Sequence, residues 1–161
     1  MKKLFGVLIL TFFNYGLGQT KGDNILKSET YFLNDLVAYD DVLKLSVTRA
    51  ESRGSISYYF EVKGRDGGKT VGVSYSTLQK VVQNYHLLVE KSKRENSPAD
   101  YVEYMTRLDR LNIGYGIDND GIVWFIVLGQ KDSIHVFDKH EKIGDAFIRA
   151  LKLMEELGAN R

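Results

Sequence analysis

Residues 70–89, Thr70-Val71-Gly72-Val73-Ser74-Tyr75-Ser76-Thr77-Leu78-Gln79-Lys80-Val81-Val82-Gln83-Asn84-Tyr85-His86-Leu87-Leu88-Val89, change their hydrophobic period in mid-course. From Thr70 to Tyr75 the stretch reads as a strand. From Ser76 onward Leu78, Val81, Val82, Tyr85, Leu88 and Val89 fall at i, i+3, i+4, i+7, i+10 and i+11. That spacing predicts one apolar stripe on a helix running to about Lys93. Ser74 or Ser76 can cap it, accepting from backbone N–H groups that have no partner in the first turn.

The residues upstream prepare this switch. Leu43, Leu45 and Val47 alternate with Lys44, Ser46 and Thr48, the pattern of a half-buried strand. Arg53-Gly54-Ser55 reads as a turn, and Ile56, Tyr58, Phe60 and Val62 share one face of a second strand. Gly64-Arg65-Asp66-Gly67-Gly68 is a loop to the third. Residues 19–41 are poorly defined: Thr20 to Ser28 is polar, whereas Tyr31, Phe32, Leu36, Val37 and Tyr39 are apolar enough to pack.

Downstream the same order recurs. The polar run Lys91–Asp100, with the single proline Pro98, closes the first half. Val102, Tyr104, Thr106 and Leu108 alternate as a strand. A helix over 97–110 competes, because Ser97-Pro98-Ala99-Asp100 resembles a capping box with proline at the first helical position. Ile113, Tyr115 and Ile117 form the next strand, with Asn112, Gly114 and Gly116 on its other face. Asp118-Asn119-Asp120-Gly121 is a hairpin turn of residues that tolerate positive φ. Ile122–Leu128 is apolar on both faces, which predicts a central strand covered on both sides or locally twisted into the core. Ser133–Phe137 is a short strand. Residues 140–157 place Ile143, Ala146, Phe147, Ala150, Leu151, Met154 and Leu157 on one helical stripe. Ser55–Val89 and Gly121–Met154 thus follow one plan. The expected fold is α+β, an antiparallel sheet of six or seven strands with two amphipathic helices on one face, in the order βββα-ββββα.

The first residues carry an address. Lys2 and Lys3 precede the apolar run Leu4–Phe13, and Gly16 and Gly18 follow as small residues at a peptidase site, so residues 1–18 read as a signal peptide cleaved after Gly18 or Gln19. The run is shorter than the roughly 20 apolar residues a membrane-spanning helix needs. Residues 42–157 then form a single α+β domain in the periplasm or outside the cell, with no transmembrane segment in the mature chain. The chain has no cysteine, which excludes disulfides, thiol nucleophiles and cysteine zinc sites. An exported chain without disulfides suits a bacterial source. Net charge is +1 and falls to about −1 on loss of Lys2 and Lys3, so no basic excess exists to hold nucleic acid.

Chemical motifs are few. In Gly64-Arg65-Asp66-Gly67-Gly68-Lys69-Thr70, Lys63 occupies the position a P-loop requires to be glycine, and a strand rather than a helix follows. No G-x-S-x-G or H-E-x-x-H is present. Glu51, Glu61 and Glu103 are carboxylates that sequence cannot place opposite a substrate, and Asp118 and Asp120 lack EF-hand spacing. Of the three histidines, His135 and His140, with Asp132 and Asp138 nearby, are the candidate metal ligands, while His86 sits beside the first helix's apolar stripe. A solvated strand-to-helix junction explains the same residues. No cofactor is implied. Tyr58 and Tyr59, like Trp124 and Phe125, point to opposite faces of their strands, so one of each pair can lie outside the core. Tyr59 and Trp124 are the candidate ligand-binding aromatics; the favoured reading without a ligand has the helices covering one face and residues 31–41 partly shielding the other.

The runs Asp100-Tyr101-Val102-Glu103-Tyr104, Asn112-Ile113-Gly114-Tyr115-Gly116 and Gly121-Ile122-Val123-Trp124-Phe125-Ile126 resemble a group of small exported proteins of Bacteroidetes. In that group a "DYLE" segment precedes "QVGYY" and a "WY/WF" strand, and an amphipathic helix ends the chain; Tyr75–Glu90 is similar to its middle segment. The resemblance covers about residues 42–157. Gly116 here replaces an aromatic, and Leu111-Asn112 a longer polar turn. The resemblance implies export and fold and carries no active site. The expected function is a non-enzymatic binding module with a protein or glycan partner in the cell envelope. The alternatives are a small hydrolase or metal-dependent enzyme with its site near 132–140, and an accessory subunit donating residues 19–41 to a partner.

Overall fold

The computed structural model describes residues 26–64, 70–94, 101–108, 110–129 and 133–160. The segment assigned to export, loop residues 65–69, the Ser97–Asp100 box and Asp132 lie outside these residues. The chain runs β1 (Leu26–Phe32), β2 (Leu36–Val37), β3 (Val42–Ser52), β4 (Ser55–Lys63), β5 (Thr70–Ser74), α1 (Tyr75–Ser92), β6 (Tyr101–Met105), β7 (Leu111–Asp118), β8 (Gly121–Leu128), β9 (Ser133–Phe137) and α2 (His140–Glu156).

The α+β class and the antiparallel pairing hold, but the single sheet does not. The strands divide into a five-stranded sheet ordered β1-β3-β4-β5, with β2 also on β3, and a four-stranded sheet ordered β6-β7-β8-β9. Two strands come from the segment expected to be poorly defined, so the order is βββββα-ββββα. β1 pairs with residues 46–52 of β3 and β2 with residues 42–43, so both occupy one edge of that strand. Residues 101–105 are strand rather than helix. Beyond Met105 the Thr106 N–H still donates to Ile113 O (2.9 Å), and side chains supply the remaining bonds: Thr106 Oγ1 accepts from Ile113 N (3.0 Å), and Asn112 Oδ1 accepts from Leu108 N (2.5 Å).

Local chemistry explains the turns and caps. Ser52 pairs with Ser55, leaving Arg53 (φ 51°) and Gly54 (φ 75°) as a two-residue hairpin of the primed type. In the Asp118–Gly121 turn the positive φ falls on Gly121 (132°) and not on Asn119 or Asp120. Asp118 Oδ1 closes that turn by accepting from Asp120 N (2.9 Å) and Gly121 N (3.1 Å). Ser74 is the cap of α1, its side chain accepting from Thr77 N (3.3 Å).

One core serves both sheets. Leu43, Leu45, Val47, Phe60, Val62, Val71 and Val73 face it from the first sheet, and Leu111, Ile113, Tyr115, Trp124, Ile126, Leu128 and Phe137 from the second. Each helix touches strands of both. The helices are antiparallel: Tyr75 at the start of α1 hydrogen-bonds Glu155 near the end of α2 (3.1 Å), and Tyr85 meets His140 at its start. Gly144 permits the closest approach, since a Cβ there would strike the Tyr85 ring. A backbone bond from Tyr39 N to Val136 O (2.9 Å) joins the segment after β2 to β9 and so links the sheets.

Candidate functional site

β8 was expected to be covered on both faces or twisted locally into the core. It is central, between β7 and β9, and its inner face is buried. Its outer face carries Val123, Phe125 and Val127, and Val123 is exposed. Phe125 is buried, yet it stands apart from the main core cluster. Together with its neighbours it shapes a concavity of about 480 Å³ on the outside of the second sheet.

The register builds this surface from alternate residues. Tyr101 pairs with Asp118, Glu103 with Gly116, and Met105 with Gly114. Gly116 pairs in turn with Val123 and Gly114 with Phe125, while Phe125 and Val127 pair with Val136 and Ile134. Side chains of residues two apart share a face, so these form rows across one surface. The glycines leave the floor low. At Gly114 the space is taken: a Cβ would lie 2.5 Å from Tyr104 O and 2.6 Å from Phe125 Cζ. At Gly116 the nearest atom is Tyr101 Oη at 2.8 Å, the far end of a side chain 57% exposed. Gly114 is therefore fixed by packing, and Gly116 lets the Tyr101 ring lie low across the floor of the concavity.

Polarity is graded along the rows. Glu103 and Asp118 lie at one end with Tyr101, whose hydroxyl donates to Glu103 Oε2 (3.0 Å). Desolvation first, then that bond and the charge of the two carboxylates, raises the Tyr101 phenol above its ordinary pKa. Met105, Phe125, Val127, Ile134 and Val136 line the remainder, and Ile134 is 56% exposed. Among the described residues, no lysine, arginine or histidine lines the concavity.

The outer face of the first sheet differs. Ser46 and Thr48 on β3 donate to Glu61 Oε2 on β4 (3.4 and 3.0 Å), and Thr48 also meets Thr30 on β1 (3.2 Å). Tyr59 stands on this polar face, 41% exposed. Its neighbour Tyr58 turns inward and donates to Leu157 O at the end of α2 (2.7 Å). Trp124 turns inward too, packing against Tyr85, Tyr115 and His140 with ring centroids 6.4, 5.0 and 5.1 Å away. Trp124 thus belongs to the core, and its outward neighbour Phe125 belongs to the concavity. The two candidate aromatics sit on different sheets.

The candidate metal ligands have separate partners. His135 is buried on the inner face of β9, its Nδ1 3.2 Å from Asp40 Oδ2 but not aligned for a hydrogen bond. His140 Nδ1 shares a hydrogen bond with Tyr85 Oη (2.9 Å), and its Nε2 lies 3.5 Å from Glu141 Oε1. Asp138 pairs with Lys142 Nζ (2.7 Å), which holds its carboxyl below its ordinary pKa. Among the described residues, no three histidine or acidic side chains are grouped to hold a metal ion. Glu61 and Glu103 lie on different sheets, and Glu51 pairs with Arg49 (3.3 Å).

No protein-family model matches the chain, and no curated protein matches it significantly. No described helix is long and apolar enough to cross a membrane.

Proposed function

We propose that this chain is an exported, non-enzymatic binding module and that the outer face of its second sheet is the binding surface. The observation that carries the reading is the concavity of about 480 Å³, lined by Tyr101, Glu103, Met105, Gly116 and Phe125, on a face turned away from the core. Ligand sites are concave, mainly apolar, and hold a few polar groups that orient the guest; roughly 300–1,000 Å³ is their usual size. The lining favours an apolar guest over a glycan, because among the described residues Tyr101, Glu103 and Asp118 are its only hydrogen-bonding side chains. The basic-then-apolar N-terminus and the resemblance to exported Bacteroidetes proteins support export, with the cell envelope as the place of action.

The test is a thermal melt of the purified chain against a panel of apolar small molecules, peptides and glycans, with Gly116→Val alongside. A ligand at a hundred times its dissociation constant adds about 2.7 kcal/mol, a shift of several degrees. A shift in the native chain that Gly116→Val abolishes supports the surface. Equal shifts in both proteins refute it. N-terminal sequencing of the chain recovered from the envelope fraction tests export, which predicts a start at Gln19 or Thr20.

A further inference from the structure

We infer that the concavity selects a small molecule bearing a protonated amine on an apolar chain; the inference rests on the binding-surface reading above. The strand register supplies the polarity. Tyr101 lies opposite Asp118 and Glu103 opposite Gly116, so Glu103 and Asp118 are diagonal neighbours on adjacent strands. Diagonal pairs stand about 7–8 Å apart, close enough for one cation to meet both. They occupy the end of the concavity beside Tyr101. The next rows are Met105, Gly114, Phe125 and Val136, and then Val127 with Ile134.

Neither carboxylate meets a cation among the described residues. Glu103 accepts from Tyr101, and Asp118 accepts through Oδ1 from the turn backbone. Two uncompensated negative charges beside an apolar trough attract a cation and repel an anion. Both carboxylates are exposed at the mouth of the trough, so the attraction is a surface one that salt screens. The exposed Tyr101 ring adds a face on which an ammonium group can rest. Four residues of strand separate the Glu103 row from the Val127–Ile134 row, about 13 Å at the usual rise. A linear chain laid along the rows therefore keeps its amine at the carboxylates and its tail on Phe125, Val127 and Ile134. The size of this open concavity, about 480 Å³, fits a small molecule better than a folded partner.

The experiment is isothermal titration of the purified chain with octylamine, octanol and octanoate at neutral pH, below their aggregation concentrations. Three variants accompany it: Glu103→Gln, Asp118→Asn and Gly116→Val. The amide replacements keep an acceptor for Tyr101 and for the turn backbone while removing charge. Octylamine is expected to bind about tenfold more tightly than octanol, and octanoate more weakly than either. Raising salt should shrink the octylamine advantage. Combining Glu103→Gln with Asp118→Asn should bring octylamine to the affinity of octanol and leave octanol unchanged. Equal binding of octylamine and octanol to the native chain, lost in Gly116→Val, overturns the charge selection and leaves the surface standing. Binding that survives Gly116→Val overturns both. No binding of any probe overturns the inference, and the surface is then judged by its own panel.

Discussion

Replacing Gly144 by alanine sets helix propensity against packing. An alanine within α2 favours the helix by about 0.8–1.0 kcal/mol over glycine. The new Cβ, however, would overlap the Tyr85 ring and hydroxyl. That ring has no free path: it is buried, with the rings of His86, Trp124 and His140 at 5.2, 6.4 and 6.0 Å, and its hydroxyl is bonded to His140. Relieving the overlap costs about 1–3 kcal/mol in overpacking, plus about 0.5–1.5 kcal/mol if the hydrogen bond breaks. Packing outweighs propensity, and Gly144→Ala should destabilise the fold by about 2 kcal/mol, a fall in melting temperature of roughly 5–10 °C. Urea denaturation measures it directly. The deciding control is the Tyr85→Leu background, where the clashing ring atoms are gone and Gly144→Ala should become stabilising, by up to about 1 kcal/mol. A stabilising Gly144→Ala in the native chain, or an equal loss in both backgrounds, would refute the account.

Gly114→Ala should lower stability by about 1–3 kcal/mol, because backbone Tyr104 O and the buried Phe125 ring stand against it; Gly116→Ala should cost little, since exposed Tyr101 can swing aside, and parallel melts compare them. Ser74→Ala removes the α1 cap and should cost about 1 kcal/mol by urea titration, whereas Ser76→Ala should leave stability near native. Asp138 should titrate below its ordinary value near 3.9, with Lys142→Met returning it there by NMR. Because its folded pKa is depressed, its small stabilising effect is present above that ordinary value and lost as pH falls through the folded one.

Both helices were legible because their signal is local. The stripes from Leu78 to Val89 and from Ile143 to Met154 name their own buried faces, and the ends fall within a residue of expectation. β1 was not legible because its apolar alternation is weak. Lys27 and Glu29 share one of its faces with Tyr31 and meet Arg49 of β3 in an ionic cluster, with Glu29 2.7 Å from Lys27 and 3.3 Å from Arg49. Its place comes from backbone pairing with β3, a non-local contact that no window of sequence contains. The division into two sheets is non-local for the same reason. The Trp124–Phe125 pair marks the limit at the site. Alternation puts the two rings on opposite faces, but which face meets the helices depends on the packing of α1 and α2. The missed residues did leave a signal: Gly114 and Gly116 alternate on the same side of the sheet as Val123 and Phe125, a low floor beside apolar walls.

The repeated plan seen in the sequence also makes the first sheet an internal comparison for the second. Leaving β2 aside, β1-β3-β4-β5 followed by α1 and β6-β7-β8-β9 followed by α2 are each a four-stranded antiparallel meander ending in a helix. Their inner faces have the same task, since both bury against the helix pair, and both are apolar. Their outer faces have no shared packing duty, so composition there is free to differ. Counted from the two hairpins, on the second strand of the meander the first unit places Thr48 and Ala50 where the second places Gly114 and Gly116. On the third it places Ser57, Tyr59 and Glu61 where the second places Val123, Phe125 and Val127. Ser46, Thr48 and Glu61 hydrogen-bond to one another and leave a polar face. The second unit instead exposes apolar side chains around two glycines, with hydration cost and no fold-level return among the described elements. A stability requirement common to the two units would have made the outer faces alike. The proposed binding surface accounts for this divergence, and the grading from Glu103 and Asp118 to Ile134 gives the proposed occupant its direction.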